Sequence, residues 1–168
     1  METINKLENM IAEWYKGLPH LPKNGQQWLA KNVWWIALIG VILGAVGIFG
    51  VLSLTLFAGA ILTAAGGVAG AAVAGFAMII IWAYLAVAVV SLIITVMAIS
   101  PLKAMKKRGW TLIFITVLLE VVAQVVYFLF DYNFFGLVWG LLMSAVTAYF
   151  LFEIRSFFDG KTSASKKA

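Results

Sequence analysis

Glu120 is an acidic residue near the middle of a long apolar segment that runs from Trp110 to about Phe130. Gln124 follows one helical turn later, so in a helix the two side chains lie on the same face. An ionised carboxylate in hydrocarbon is costly, and we therefore expect Glu120 to hold a proton or a cation. The pair is the candidate intramembrane polar site of this chain.

The same two residues also have a purely structural interpretation. Protonated Glu120 and Gln124 would hydrogen-bond to hydroxyl groups on neighbouring segments, and each such bond between membrane helices contributes about 0.6–2 kcal/mol. The available hydroxyl groups are those of Ser91, Thr95, Ser144 and Thr147. Because only one carboxylate lies within an apolar segment and no cation accompanies it, the sequence favours this structural interpretation.

The sequence does not predict an enzyme. It contains no cysteine, and its single histidine, His20, lies between Pro19 and Pro22 in a loop where we expect it to be solvated. A soft-metal site or a Ser-His-Asp set would need partners that His20 lacks in the sequence. We therefore expect no catalytic residues, no cofactor and no bound metal.

The composition indicates an integral membrane protein. Hydrophobic residues make up 64% of the 168 residues and charged residues 11%, against about 45–50% and about 25% in soluble domains. No charged residue or histidine occurs between Lys31 and Lys103. The net charge of +5 comes from basic residues beside apolar segments, which indicates membrane topology and argues against a nucleic-acid partner.

Four apolar segments are long enough to cross a bilayer, which takes about 20 residues each. They belong to a predicted helical bundle over residues 24–157, with spans at about 33–56, 76–100, 110–130 and 134–152. The predicted fold is an all-α integral membrane protein with four transmembrane helices. Five crossings are the alternative, because residues 33–100 are longer than two spans require.

The basic residues predict the orientation. Lys103, Lys106, Lys107 and Arg108 lie between the second and third spans, and all other Lys and Arg residues precede the first span or follow the fourth. Because basic segments stay in the cytoplasm, we predict a multi-pass protein of the cell membrane with both termini cytoplasmic. The same four residues are candidates for binding lipid headgroups.

Residues 1–23 are predicted to form a cytoplasmic amphipathic helix and a linker bounded by prolines. Over residues 2–16, Ile4, Leu7, Ile11 and Trp14 recur at helical spacing. This apolar stripe would lie on the membrane surface or, as we favour, dock on the chain's own cytoplasmic face.

Two further predictions concern the start of the next helix and the C-terminal residues. Asn24, with Gln27 three residues later, has the position of an N-cap for the next helix. The polar residues 158–168 are predicted to form a disordered tail.

Small residues are concentrated in two places. Gly40, Gly44 and Gly47 form a smooth helix face, which favours close packing against the second span, with a second copy of the chain as the alternative partner. Residues 58–75 contain 13 Gly or Ala among 18 positions. Their sequence permits pressed helix ends, a tight turn at Gly66–Gly67, or a re-entrant segment.

The sequence indicates the function only in outline. The favoured hypothesis is a small polytopic protein with a structural, scaffolding or interaction role. Its partners would be the lipid bilayer and either a second copy or another membrane protein. The alternative is a small oligomeric proton- or cation-coupled transporter or channel that uses Glu120.

Overall fold

A computed structural model describes residues 2–158, and every regular element in that range is helical. The five helices are α1 Glu2–Tyr15, α2 Lys23–Lys103, α3 Lys107–Asp131, α4 Phe134–Glu153 and α5 Arg155–Phe158. The predicted tail over residues 158–168 lies outside the described residues, apart from its first position. Phe158 is a buried residue at the end of α5, so the first residue of the predicted tail belongs to a helix.

Three of these helices, α2, α3 and α4, are long and apolar enough to cross a membrane. Much of their apolar surface points away from the bundle, and Phe57, Phe130 and Phe135 are among the exposed large side chains. Apolar exposure on this scale is a liability in water, whereas hydrocarbon solvates it well. The helix lengths and this exposure together support an all-α membrane protein.

The longest helix, α2, reverses direction at Gly67. This residue has φ 54° and ψ −135°, a backbone conformation that side chains with a Cβ rarely adopt. Residues that precede Gly67 contact residues that follow it. A Cβ on Gly70 would collide with the carbonyl oxygen of Leu62, and one on Gly59 would lie 3.2 Å from Met78 Cε. The two arms of α2, residues 23–66 and 68–103, are therefore antiparallel.

The reversal selects the tight turn among the three conformations that the sequence permits for residues 58–75. The helix continues through residues 56 and 76, the expected edges of the first two spans. Alanine explains this continuity, because it has the highest helix propensity and is the commonest residue in the stretch. The single non-helical residue inside α2 is Gly67.

The start of α2 differs from the predicted one. The helix begins at Lys23, and Pro22 occupies the N-cap position with φ −57° and ψ 146° and no side-chain cap. The amide of Gln26 donates to the carbonyl oxygen of Pro22 at 3.1 Å. The prediction of Asn24 as N-cap is therefore wrong, because proline already holds the extended backbone from which a helix can start.

The tightest packing lies at the end of the bundle that contains Lys103–Arg108 and Arg155, which we call the basic end. Trp110 is buried there, stacks on Phe114 with ring centroids 5.3 Å apart, and donates from Nε1 to the carbonyl oxygen of Leu151 at 2.7 Å. The cluster contains Ala30, Ala98, Leu102, Trp110, Phe114, Leu151, Ile154 and Phe158. It joins both arms of α2 to α3, α4 and α5.

Gly109 allows the close approach of α3 to the end of α2. A Cβ at this position would lie 2.5 Å from the amide nitrogen of Leu102 and 2.8 Å from the carbonyl carbon of Pro101. Both atoms belong to the backbone, so they cannot move aside as a flexible side chain would. The short loop between α2 and α3 therefore depends on glycine.

We predict that Gly109→Ala lowers the unfolding temperature of the purified protein in detergent. The overlap should cost about 1–3 kcal/mol, as overpacking typically does. Gly50→Ala is the matched control, because a Cβ at Gly50 meets nothing within 4 Å. Thermal scanning with tryptophan fluorescence measures both variants. Equal unfolding temperatures for Gly109→Ala and the native protein would contradict the tight packing at this loop.

Candidate functional site

A cleft of about 1330 Å³ opens between both arms of α2 and the helices α3 and α4. Its walls are mostly aliphatic. Glu120 is the only charged residue that lines it in the described part of the chain. The other polar side chains along the cleft are those of Tyr84, Ser91, Thr95, Thr116, Gln124, Tyr127, Asn133 and Thr147.

One face of α3 supplies much of this polar lining. Thr116, Glu120, Gln124 and Tyr127 all line the cleft and follow one another at intervals of four, four and three residues. Such intervals place side chains in one row along a helix. Only Glu120 and Gln124 of this row were predicted as site residues. Thr116 and Tyr127 were missed, although their spacing from the pair identifies them as members of the same row.

Glu120 is exposed to the cleft. In the described part of the chain it has neither a hydrogen-bond partner nor an ion-pair partner. Three of the four candidate hydroxyl groups, those of Thr95, Ser144 and Thr147, have other partners, and that of Ser91 does not bond to Glu120. Thr95 and Thr147 donate to carbonyl oxygens of their own helices, those of Ser91 and Met143, at 2.8 and 2.9 Å. Glu120 therefore makes none of the hydrogen bonds that the structural interpretation predicts for it among the described residues.

Gln124, in contrast, makes a packing contact. Its Nε2 donates to Ser144 Oγ at 3.1 Å and joins α3 to α4. The amide lies so close to Gly140 that a Cβ there would overlap Gln124 Oε1. Glycine at position 140 thus makes room for the polar side chain between two apolar helices. Of the predicted intramembrane polar pair, Gln124 is therefore a packing residue, and Glu120 is a carboxylate without a partner among the described residues.

Two polar atoms of cleft residues lack hydrogen-bond partners among the described residues. They are Gln124 Oε1 and Ser91 Oγ, and both are buried. A buried polar atom without a partner costs about 1–3 kcal/mol, so native proteins usually satisfy it with a bound molecule or water. Protein covers both of these atoms, whereas the Glu120 carboxylate is exposed in the cleft and open to a ligand.

The predicted helix-packing glycines also line the cleft. A Cβ on Gly44 would make ordinary contact with Leu92 at 3.4 Å, whereas a Cβ on Gly40 or Gly47 would meet nothing within 4 Å. These two glycines therefore enlarge the cleft rather than bring the arms of α2 together. Contact of this face with a second copy stays a prediction.

The four basic candidates lie where α2 meets α3. Lys103 Nζ lies over the Trp34 ring, 5.0 Å from its centroid, and Lys107 Nζ lies 3.6 Å from Glu8 Oε1. Lys106 and Arg108 are exposed. Two of the four cations thus interact within the chain, and binding of lipid headgroups stays a prediction for the cluster.

Glu153, at the end of α4, fixes the linker that precedes α2. Its side chain is 4% exposed, and Oε1 lies 2.6 Å from His20 Nδ1. Oε2 accepts from the Leu21 amide at 2.8 Å and from Gln26 Nε2 at 3.0 Å. The expectation that His20 has no partner is therefore wrong. The side chain is 57% exposed, but the fold brings it to an acidic residue 133 positions away.

Glu8 attaches α1 to the basic end. Its side chain is 1% exposed and lies 2.7 Å from Arg155 Nη2, in addition to the contact with Lys107. The contact is electrostatic, since neither Glu8 oxygen accepts a well-aligned hydrogen bond from the described residues. Arg155 also donates to Asn9 Oδ1 at 2.9 Å.

Tyr15 attaches the other end of α1. Its hydroxyl group donates to the carbonyl oxygen of Ala145 at 3.0 Å, and its ring stacks on Phe152. Burial raises the pKa of the Tyr15 hydroxyl, so it keeps its proton at neutral pH. With Glu8 and Tyr15 both engaged, α1 lies against α4 and α5, which is the arrangement expected for a docked helix.

No family model matches this chain, and no curated protein or solved structure matches it. The function of the cleft must therefore be argued from its own geometry.

We predict that Glu153→Gln loosens the linker between α1 and α2. The variant keeps the shape but loses the negative charge that faces His20, Leu21 and Gln26. Hydrogen bonds to a charged group contribute about 1.5–3 kcal/mol and those to a neutral group about 0.5–1.5 kcal/mol, so these contacts weaken. Faster cleavage by trypsin after Lys16 and Lys23 measures the loosening.

Glu13→Gln is the control for this experiment, because Glu13 is exposed on α1. It should be cleaved at the native rate. If Glu153→Gln also keeps the native cleavage rate, the contacts of Glu153 do not hold the linker.

Proposed function

We propose that this protein is a small proton-coupled membrane carrier that binds lipophilic cations in the cleft, with Glu120 as the cation-binding group. One observation carries the proposal. Among the described residues, Glu120 is the only charged one that lines the cleft of about 1330 Å³, and it has no partner there. We therefore favour the transporter hypothesis over the structural role that the sequence alone favours.

The chemistry of an unpaired carboxylate explains the coupling. In apolar surroundings the ionised form is costly unless an opposite charge lies close by. Glu120 therefore binds either a proton or a cation. The two compete for one group, and such competition links the movement of one to the counter-movement of the other.

The size and lining of the cleft favour an organic cation. Sites for small molecules typically enclose about 300–1,000 Å³, so the cleft has room for a bulky apolar body. A bare metal ion would need several oxygen or nitrogen ligands. The described residues contain no group of three His, Cys, Asp or Glu side chains that could hold one.

Aromatic residues that line the cleft suit such a ligand. Tyr84 and Tyr127 meet edge to face with ring centroids 5.0 Å apart, and both line the cleft. Aromatic faces attract organic cations, with a gain of about 0.5–2 kcal/mol.

The proposal includes a four-crossing topology in the cell membrane with both termini in the cytoplasm. The antiparallel arms of α2 supply two crossings, and α3 and α4 supply the others. With this arrangement every Lys and Arg residue lies on one side, in agreement with the positive-inside rule. Because the described residues do not close the cleft, we further propose that two or more copies assemble to enclose it.

We predict that the native protein binds tetraphenylphosphonium and that Glu120→Gln removes most of this binding. Affinity should rise with pH, because the proton and the cation compete for the same carboxylate. Isothermal titration in detergent at several pH values measures both effects. In the variant, any residual binding should not depend on pH.

Glu13→Gln controls for the loss of a carboxylate elsewhere in the chain. Proteoliposomes extend the test to transport, since an imposed proton gradient should drive tetraphenylphosphonium uptake only with the native Glu120. Equal, pH-independent binding by the native protein and Glu120→Gln would reject the proposal.

We also predict that Gly47→Leu weakens tetraphenylphosphonium binding about tenfold or more. A leucine there would enter the cleft, and steric occlusion of a site readily costs about 1.4 kcal/mol. Gly50→Leu is the matched control, since Gly50 lies on the same arm, does not line the cleft, and a Cβ placed there would likewise meet nothing within 4 Å. Native-like affinity in Gly47→Leu would place the ligand elsewhere.

An interaction role is the second candidate function. Residues near the reversal of α2 enclose a small cavity of about 190 Å³ that is lined by α2 alone. Phe57, Val68 and Phe76 are exposed in this region. Such an apolar, uncharged surface suits contact with another membrane protein. A native protein that binds no cation in the titration would favour this role.

A further inference from the structure

The surface of α1 is divided into three sectors. At about 100° per residue, Ile11, Tyr15 and Glu8 form one continuous sector. All three contact the bundle: Ile11 packs against the core cluster, Tyr15 stacks on Phe152 at 5.3 Å, and Glu8 is ion-paired with Arg155. This sector docks α1 on the protein.

The other two sectors face outward and differ in character. Lys6, Asn9 and Glu13 form an exposed polar sector, at the edge of which Asn9 also accepts from Arg155. Leu7, Met10 and Trp14 form an apolar sector and are 38, 53 and 75% exposed. A helix docked on a protein in water needs only a protein-facing and a polar sector. The additional apolar sector indicates a third environment beside α1.

The position of α1 identifies that environment. Tyr15 bonds to Ala145, eight residues before the end of α4, which is about 12 Å along the helix axis. Within one turn of Ala145, Leu142 and Met143 are exposed on α4. The end of α1 thus reaches a part of α4 that carries outward apolar side chains, and α4 is long enough to span the membrane.

We propose that α1 is an interfacial anchor whose apolar sector, Leu7, Met10 and Trp14, inserts among the phospholipids of the leaflet at the basic end. Tryptophan favours this depth, since its ring is buried while its N–H stays hydrated. Helices of this kind enter about 5–10 Å into the headgroup and acyl-chain boundary. The polar sector faces water, and the contacts of Glu8 with Arg155 and Lys107 hold the anchor on the bundle.

Site-directed spin labelling tests the proposal, and the absence of cysteine from the chain makes single labels possible without further changes. Trp14→Cys and Met10→Cys report on the apolar sector, and Glu13→Cys on the polar sector of the same helix. Each labelled protein is reconstituted into phosphatidylcholine–phosphatidylglycerol vesicles. Power saturation then compares collision with oxygen, which concentrates in lipid, and with a water-soluble nickel chelate.

We expect the ratio of oxygen to nickel accessibility to be several-fold higher at positions 10 and 14 than at position 13. Equal ratios at the three positions would overturn the proposal, because the apolar sector would then face water. Low accessibility to both reagents at positions 10 and 14 would also overturn it, since protein would then cover the sector. Native elution and unfolding temperature of the labelled variants show that α1 is still docked.

Discussion

The cost of placing a charge in hydrocarbon governs the arrangement of this protein. Apart from Glu120 and the α3–α4 turn, the charged residues of the described chain lie at the basic end. Even at the basic end, a buried carboxylate needs a group of opposite charge or a hydrogen-bond donor beside it. Glu8 is paired with Arg155 and Lys107, and Glu153 with His20 and two further donors. These contacts attach the N-terminal segment to the other end of the chain, and they lie beside the best-packed part of the core.

Glu120 stands apart because the fold provides it with space instead of a partner. A carboxylate kept only for packing would be satisfied as Gln124 is, by a hydroxyl group on the facing helix. Glycines at positions 40 and 47 leave the opposite wall of the cleft open. Space and an acid without a partner among the described residues occur together at this cleft. Their combination, rather than any single one of them, is the physical basis for a cation-binding role.

The sequence predicts those features that depend on local pattern. Apolar length identifies the helices that can span a membrane, and the four-residue spacing from Glu120 to Gln124 places both on one face of α3. Features that depend on distant contacts could not be predicted. Ser144 as the partner of Gln124 and Glu153 as that of His20 lie 20 and 133 positions away. The reversal at Gly67 could be predicted only in part. The Gly66–Gly67 pair indicates that a turn is possible, but only the contact of Leu62 with Gly70 shows that the helix reverses its direction there.

Length imposes a last constraint on how the chain sits in a bilayer. α3 has 25 residues and is about 38 Å long at 1.5 Å per residue, close to the thickness of a hydrocarbon core with its interfaces. An arm made of half of the 81 residues of α2 is about 60 Å long. At a tilt of about 40°, the largest in the usual range, the arm still spans about 46 Å along the bilayer normal, which exceeds the length of α3. The uncharged end of the α2 hairpin must therefore extend past the α3–α4 turn, where only apolar protein or locally thickened lipid solvates it well. This excess length is the physical reason why assembly with further copies or partners belongs to the carrier hypothesis as much as to the interaction role.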